Sequence, residues 1–291
     1  MVIHGRGLIS DFSFYTLNNS VENHVVLWQD NDKPQHFGVF CRVDEVKQFT
    51  EALKQTTLIK REIIVHHTPH YLVKSWIEVG KHKGLQLDLQ VGLHRAFVYH
   101  PPLQPQQYFC RAGYNVCHLG KAGIQLLLEM SRYNKNDSLE KMCIWSEKIP
   151  FVGVYRDPNV AQDTLVDPHN LPLAGDEDLP VCCIGTKLFG TLGMLRTTEE
   201  YKRKGLASLV VNVAAEIQTR LGFIPVCHVD VDNVPSRKMM EKLTEGPAAR
   251  RASNSPQESV GHLKGEIRPS TRKAANHEEA EGLLPLVPCN G

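Results

Sequence analysis

Residues 190–243 constrain the fold of this chain more than any other part of the sequence. They predict a strand, a basic glycine turn, an apolar helix, a second strand and a second helix. Leucine, valine and isoleucine recur at helical spacing from Leu206 to Leu221, and Gly222 follows in the position of a C-cap. A strand that follows such a helix closely predicts a parallel β-α-β crossover, and with it an α/β fold.

Strands are predicted on both sides of the turn and the helix. Residues Cys182 to Met194 are mostly apolar, which predicts one buried strand that runs through Gly193 toward the turn. Residues Ile224 to Val231 alternate and predict the second strand. Asp232 and Asn233 then predict the cap of the next helix. A ligand at the turn would therefore lie beside the end of the first strand.

The turn before the first helix concentrates positive charge. It consists of Lys202, Arg203, Lys204, Gly205, Leu206 and Ala207. The first N–H groups of a helix lack intrahelical partners, and the macrodipole adds about half a positive charge at that end. Gly205 lets the backbone approach an anion closely because glycine has no Cβ. The turn therefore predicts a pyrophosphate site, although an isolated string of this kind is more often a solvated turn.

The order of residues in this turn resembles the CoA-binding signature of the GNAT superfamily of N-acyltransferases. That signature is Arg or Gln, two residues, Gly, one residue, then Gly or Ala, and Lys202, Gly205 and Ala207 occupy its places. Over residues 181–243 the chain is also similar to the glycine N-acyltransferase family, through Gly-Met-Leu-Arg-Thr, Glu-Tyr-Lys-Arg-Lys-Gly-Leu and Gly-Phe-Ile-Pro-Val-Cys-His-Val-Asp. A thinner similarity of layout extends the resemblance to residues 20–243. It implies an α/β (α+β) fold with a GNAT-like mixed sheet, flanking helices and two tandem GNAT-like halves.

The resemblance also implies a CoA-dependent N-acyltransferase. A primary amine, such as that of glycine or another amino acid, would attack the thioester of acyl-CoA directly, and no metal is implied. The implied cofactor-binding residues are Gly193, Met194 and Leu195 for the pantetheine arm, Lys202, Arg203, Lys204, Gly205, Leu206 and Ala207 for the pyrophosphate, and Asn233 near the pantetheine and thiol. The alternative hypothesis is a catalytically impaired GNAT-like protein that binds CoA or has a regulatory role.

Two positions depart from the family pattern at the reaction centre. Thr191 stands where the family has the glutamate proposed as general base, and threonine cannot accept a proton near neutral pH. The base would then be His228, Glu199, Glu200 or a water relay. Met240 stands where the wider superfamily often has a tyrosine that reprotonates the thiolate. We take His228 as the catalytic candidate because imidazole titrates near neutral pH, and a hydrogen-bonded structural histidine is the other interpretation.

Shifts in composition predict how the chain is organised. A Pro/Gln stretch at residues 101–107 indicates a linker, and after Leu243 the sequence becomes rich in Pro, Ser, Arg, Glu and Asn. Superfamily chains continue there with Gly-Phe into a further strand, so we expect the final strands of the fold to be missing. The predicted division is residues 1–100 for an N-terminal GNAT-like half, 101–122 for a linker, 123–243 for the C-terminal CoA-binding acyltransferase domain and 244–291 for a disordered tail.

The composition is ordinary for a soluble chain of 291 residues, with 42% apolar and 22% charged residues. A net charge of +1 argues against a general nucleic-acid or membrane surface. The eight cysteines include no Cys-x-x-Cys pair, which favours free thiols in a reducing compartment. We therefore expect a cytoplasmic or mitochondrial protein that is not secreted, with a small-molecule amine and acyl-CoA as its partners. The acyl chain, the acceptor and the oligomeric state have no readable motif.

Overall fold

A computed structural model describes the chain over residues 12–16, 25–30, 36–59, 64–66, 68–99, 106–130, 138–187, 190–244, 259–269 and 287–288. The chain divides into two compact units. One comprises residues 96–256 with residues 1–4, and the other comprises residues 5–95 with residues 257–291. The predicted domain limits differ from this division in the tail, since residues 257–291 group with residues 5–95, and they stay predictions.

The described strands are, in chain order, β1 (Phe12–Thr16), β2 (Val26–Asp30), β3 (His36–Phe40), β4 (Ile64–His66), β5 (Leu85–Val98), β6 (Tyr108–Cys110), β7 (Tyr114–His118), β8 (Val152–Arg156), β9 (Thr164–Val166), β10 (Cys182–Thr186), β11 (Leu192–Thr197), β12 (Val226–Asp230), β13 (Ser259–Pro269) and β14 (Val287–Pro288). The described α-helices are α1 (Val46–Gln55), α2 (Val73–His82), α3 (Lys121–Met130), α4 (Leu139–Ser146), α5 (Leu206–Arg220) and α6 (Val234–Thr244).

The unit that contains residues 5–95 is built on a five-stranded sheet in the order β14-β1-β2-β3-β4. Strands β1, β2 and β3 pair antiparallel, whereas β3 and β4 pair in parallel. Buried side chains of α1 and α2 complete its core, where the rings of Phe49 and Trp76 meet edge to face with centroids 5.8 Å apart. Burial of these large rings contributes to the stability of the unit.

The unit that contains residues 96–256 is built on β12-β11-β10-β8-β7. Strands β7, β8, β10 and β11 pair antiparallel, and β11 pairs in parallel with β12. Buried residues of β8, β10, β11 and α5 form one continuous core. This arrangement confirms the predicted mixed sheet with flanking helices.

Helix α5 ends as its sequence predicts. Its C-cap is followed by Gly222, whose φ of 82° lies in the left-handed region that favours glycine. Gly222 N donates to Thr219 O at 3.0 Å and Phe223 N donates to Gln218 O at 3.0 Å. These two bonds form a Schellman motif, which satisfies carbonyls at the end of the helix. The chain then enters β12, so the predicted β-α-β crossover is confirmed.

The prediction of one strand from residue 182 to residue 194 is wrong. The structure has two antiparallel strands there, β10 and β11, joined where Lys187 N donates to Thr191 O and Gly190 N donates to Lys187 O, both at 2.8 Å. Gly190 has a φ of 74°, which glycine adopts without strain. An apolar run carries no alternation that would show where the chain reverses, so the sequence pattern merged two strands.

Two segments of the predicted disordered tail are strands in the structure. Strand β13 pairs antiparallel with β5 from Ser259↔Arg95 to Pro269↔Leu85, and β14 pairs with β1. Strand pairing depends on backbone hydrogen bonds, so the low apolar content of the tail does not reveal it. Strands β6 and β7 likewise lie within the predicted linker, whereas its residues 101–105 lie outside the described residues.

Seven cysteines lie in the part of the chain that the structure describes, and all seven are free thiols. Burial raises the pKa of Cys182 to about 11 and that of Cys183 to about 12. These thiols of β10 are therefore protonated packing groups near neutral pH. Among the helices that the structure describes, none is long and apolar enough to span a membrane.

Candidate functional site

The amino-terminal end of α5 is an open, positively charged turn. A short 3₁₀ turn at Glu199–Tyr201 leads into it, and Arg203 and Gly205 both have a positive φ, of 61° and 82°. Leu206 is buried in the core and anchors the first turn of the helix, while Leu209 N donates to Gly205 O at 3.1 Å. The N–H groups of the first turn precede this bond, so they point out of the end of the helix.

Three cations surround this helix end, and all three are exposed. Lys202 Nζ lies 2.5 Å from a carboxylate oxygen of Glu199, and Lys204 Nζ lies 4.8 Å from the centroid of the Tyr201 ring. An exposed ion pair contributes about 0–1 kcal/mol, so these partners do not prevent the lysines from meeting an anion. The structure thus places Lys202, Arg203 and Lys204 beside the helix end that the sequence predicts to bind pyrophosphate.

The second part of the site is the point where β11 leaves β12. These strands pair in parallel at Leu192 and Cys227, the one pair in register that the described residues show. Between β10 and β11 the register shifts after Gly185↔Gly193, and Met194 has a φ of 57°. This is a β-bulge, which bends a strand and re-aims its backbone. The predicted pantetheine residues Gly193, Met194 and Leu195 lie at this bulge, inside β11 rather than at its end.

Lys187 lies against this bulge, and the sequence analysis did not identify it. A Cβ added to Gly193 would lie 2.7 Å from Lys187 Cε, so the lysine stem crosses the face of the glycine. Burial lowers the pKa of Lys187, an effect that Cys227 partly opposes. Burial also raises the pKa of Cys227 to about 11. Burial therefore shifts both groups toward their neutral forms at the β11/β12 opening, the point beyond the Leu192↔Cys227 pair where the two strands no longer pair.

A signal for Lys187 is present in the sequence. It is the only charged residue between Asp178 and Arg196, in an otherwise apolar and glycine-rich stretch. A lone lysine in such a stretch is either an exposed turn residue or a desolvated amine, and sequence alone does not separate the two.

The structure places the other candidate residues around the two parts of the site. His228 follows Cys227 on β12 and is partly buried. Because side chains alternate along a strand, His228 projects from the same face of the sheet as Gly193. Asp230 is exposed, and its Oδ1 accepts from Asp232 N at 2.9 Å. Of this alternating pair, His228 is therefore the candidate at the opening.

Asn233 caps α6, as its sequence predicts. Its Oδ1 accepts from Ser236 N at 3.2 Å, and its carbonyl oxygen accepts from Arg237 N at 3.0 Å. Cap hydrogen bonds of this kind satisfy first-turn N–H groups. The exposed amide nitrogen keeps two donor hydrogens, so a role near the pantetheine stays a prediction that is compatible with the cap.

The remaining positions considered for proton transfer differ in burial. Thr191 is buried, and its Oγ1 has no hydrogen-bond partner among the described residues. Glu199 and Glu200 are exposed on the 3₁₀ turn, and Met240 is buried in the core. Within the described residues, no group of three or more His, Cys, Asp or Glu side chains could hold a metal ion.

A buried amide holds the site together. Gln218 of α5 donates from Nε2 to Thr186 Oγ1 at 3.1 Å and to Gly190 O at 3.0 Å. Thr186 in turn donates to Pro150 O at 2.9 Å. These bonds hold the carboxyl-terminal end of α5 against the β10–β11 connection. They therefore help to position the helix relative to the bulged strand β11.

One family profile matches the segment that contains the candidate site. The profile of the FR47-like protein family matches residues 180–246, less than a quarter of the chain. These residues include the cationic turn, the bulged strand, His228 and Asn233. The comparison with curated proteins gave no match.

One solved structure shows similarity of fold at low sequence identity, and two others match with lower scores. A Drosophila protein from a structural genomics programme matches with a TM-score of 0.59 and 15% identity over 90% of this chain and 81% of that chain. A tandem GNAT protein from the clavulanic acid biosynthesis pathway matches with a TM-score of 0.42 and 11% identity over 86% of this chain and 79% of its own. A GCN5-related N-acetyltransferase from Kribbella flavida matches with a TM-score of 0.40 and 10% identity, over 91% and 92% of the two chains. Likeness at these identities concerns the fold and carries no substrate with it.

Proposed function

We propose that this protein is a CoA-dependent N-acyltransferase that moves an acyl group from acyl-CoA to the primary amine of a small acceptor. The observation that carries the proposal is that the β-bulge, the cationic turn and the open end of α5 follow one another directly along the chain. The β-bulge at Met194 lies on β11 at its divergence from β12, and the same strand leads through the cationic turn to the open end of α5. A long, flexible substrate with a diphosphate at one end suits such a path.

The cationic turn would hold the diphosphate. First-turn N–H groups of α5 and the charges of Lys202, Arg203 and Lys204 all favour an anion there. Left-handed backbone at Arg203 and Gly205 keeps the chain close to the helix end without a bulky Cβ at Gly205. These residues bind and orient the substrate, and they do not take part in the chemical step.

The β-bulge would receive the pantetheine arm. Where β11 and β12 are no longer in register, backbone groups of Gly193, Met194 and Leu195 can pair with the amides of the arm as a further strand would. The thioester then lies near the base of the opening, where an amine can attack its carbonyl carbon. Asn233 at the start of α6 would bind near the thiol, and His228 is the proposed catalytic residue for proton transfer.

Glycine or another amino acid is the proposed acceptor class. Support for it comes from the resemblance of residues 181–243 to the glycine N-acyltransferase family. A panel of acceptors tests this choice: the rate of CoA thiol release is measured with glycine, other amino acids, simple amines and peptides. Preference for an acceptor without a free carboxylate would contradict the amino-acid assignment.

Calorimetry of the full chain with CoA tests the site itself. We expect Lys202→Ala and Arg203→Ala each to weaken CoA binding by about three- to tenfold, the scale of one charge-assisted contact at an exposed site. Lys81→Ala, which removes an exposed lysine of α2, is the matched control. Absence of heat with saturating CoA, or equal losses in all three variants, would contradict the proposal.

A second candidate function has specific support. Thr191 is a buried hydroxyl where the family has glutamate, and Met240 is a buried core residue where the superfamily often has tyrosine. A protein without a proton acceptor would bind acyl-CoA as a scaffold or regulator. CoA binding without thiol release for any acceptor of the panel would favour this reading over the enzyme.

A further inference from the structure

Lys187 occupies a position that the proposed function leaves unexplained. It follows β10, and its backbone makes both hydrogen bonds of the connection to β11, to Thr191 O and from Gly190 N at 2.8 Å. Its stem crosses Gly193, the residue at which β11 begins to leave β12. The backbone thus fixes the start of this side chain, and the missing Cβ of Gly193 makes room for its end.

The face of the sheet that carries Lys187 also carries apolar side chains. Gly185 and Gly193 are registered partners and face the same side of the sheet. A Cβ on Gly185 would lie 3.0 Å from Leu127 of α3 and 3.0 Å from Phe151. On α3, the charged residues Lys121 and Glu129 are exposed. Lys187 itself is partly buried, and the apolar packing on this face limits its contact with bulk water.

Two titratable side chains of β12 bear on Lys187. Cys227 favours the charged form of Lys187 and so partly opposes the effect of burial on its pKa. His228 projects from the same face of the sheet as Gly193. Burial lowers the pKa of Lys187 and raises that of Cys227 to about 11. A neutral lysine amine is a base, whereas a neutral thiol and the Thr191 hydroxyl are not bases near neutral pH.

We propose that Lys187 is a proton acceptor of the acyl transfer, a catalytic role that rests on the proposed function. It stands at the β11/β12 opening beside Thr191, where the resemblance implies a glutamate, and its Nζ, in place of His228, supplies the basic group which that threonine lacks.

The proton balance of this role is simple. An acceptor amine enters the step in its neutral form, and its nitrogen lone pair attacks the thioester carbonyl carbon of acyl-CoA. A C–N bond forms, and Lys187 Nζ takes one proton from the attacking nitrogen. The C–S bond then breaks with its electron pair on sulfur, and the Lys187 ammonium returns the proton to the thiolate. The products are an amide and CoA thiol, and Lys187 is again neutral.

Two variants of the full chain test this role. Lys187→Met keeps the aliphatic stem over Gly193, and Lys187→Arg introduces a permanent positive charge that cannot accept a proton. We expect both to lower kcat/KM for thiol release by about 10²- to 10⁴-fold, the usual contribution of a general base. CoA affinity by calorimetry should stay within about threefold, because the diphosphate contacts are intact. Lys81→Met is the matched control.

The pH profile separates a base from a structural lysine. With aminoacetonitrile as acceptor, whose weakly basic amine is already neutral, kcat/KM of the unmodified protein should fall on the acidic side as Lys187 becomes protonated. Lys187→His should restore part of the rate and move that acidic limb to lower pH, because imidazole has an ordinary pKa of about 6.5. Rates within threefold of the unmodified protein in the Met and Arg variants, or an unmoved limb in the His variant, would overturn the inference.

A measurement on the unmodified protein makes the test independent of how the variants fold. NMR of protein labelled with ¹³Cε-lysine follows the titration of Lys187 directly, with its signal assigned from the Lys187→Arg spectrum. A pKa equal to that of the exposed lysines would overturn the inference even with CoA binding intact. Absence of CoA binding by the unmodified protein would instead overturn the proposed function, and the inference with it.

Discussion

The lysines of the cationic turn and the lysine of the β10–β11 connection have the same side chain and opposite environments. Lys202 and Lys204 are exposed and meet Glu199 and the Tyr201 ring at the surface. Lys187 lies across a glycine in an apolar setting that lowers its pKa. The exposed lysines suit an anion, whereas desolvation shifts partly buried Lys187 toward the neutral amine, which suits proton transfer. In the proposed function, burial and not residue type separates the binding lysines from the catalytic one.

The largest expected effect comes from removing the hydrogen bonds by which Gln218 of α5 holds the β10–β11 connection. Gln218→Ala removes two hydrogen bonds and leaves the carbonyl of Gly190 buried without its donor. We expect the free energy of unfolding to fall by about 2–4 kcal/mol, as measured by urea denaturation. Gln125→Ala, which loses only an exposed bond to Glu129, is the control and should change it by less than about 0.5 kcal/mol. Equal losses would show that the amide does not hold the site.

A smaller effect should follow from crowding Lys187. Gly193→Ala places a Cβ 2.7 Å from Lys187 Cε, at the flexible end of that side chain. The lysine can move aside, so we expect a loss of stability below about 1 kcal/mol but a loss of kcat of about tenfold, which corresponds to about 1.4 kcal/mol.

Gly185→Ala is the contrasting variant for that experiment. Its Cβ would meet Met194, Leu127 and Phe151 at 2.8–3.0 Å, inside the packed face of the sheet. We expect it to cost about 1–3 kcal/mol of stability. If Gly193→Ala destabilised the protein as much as Gly185→Ala, Lys187 would not be a movable neighbour.

Stability should also depend on pH through Lys187. A lysine whose pKa is lowered in the folded state binds fewer protons there than in the unfolded chain, so stability rises with pH between its lowered pKa and the ordinary value of 10.5. Lys187→Met removes this dependence. We expect the variant to melt at a higher temperature than the unmodified protein at pH 7, with a difference that shrinks toward pH 10.5. A difference that is constant across this range would contradict the desolvation of Lys187.

The smallest expected effect concerns exposed Lys202 of the cationic turn. Glu199→Gln frees Lys202 from its ion pair, and it should tighten CoA binding by about two- to threefold because such pairs are weak. Calorimetry at low salt and at about 0.5 M salt measures the change, which screening should reduce. Weaker binding in the variant would mean that Glu199 positions Lys202 for the ligand instead of competing with it.

Much of the candidate site could be predicted from local sequence. The apolar spacing of α5, its glycine at each end and the cap at Asn233 are properties of neighbouring residues, and the structure confirms them. The β10–β11 hairpin and the strand β13 could not be predicted, because a chain reversal inside an apolar run and a strand of mixed composition leave no clear period. Lys187 could not be recognised because its environment is made by residues distant in sequence.

The sequence by itself determined the order of elements over residues 190–243 and the cations at the start of α5. Helical periodicity and caps are short-range, so they are written in consecutive residues. Only the tertiary structure decided where β11 leaves β12, which side chain crosses Gly193 and which lysine is desolvated. Those properties depend on pairing and burial between segments far apart along the chain, and pKa follows burial.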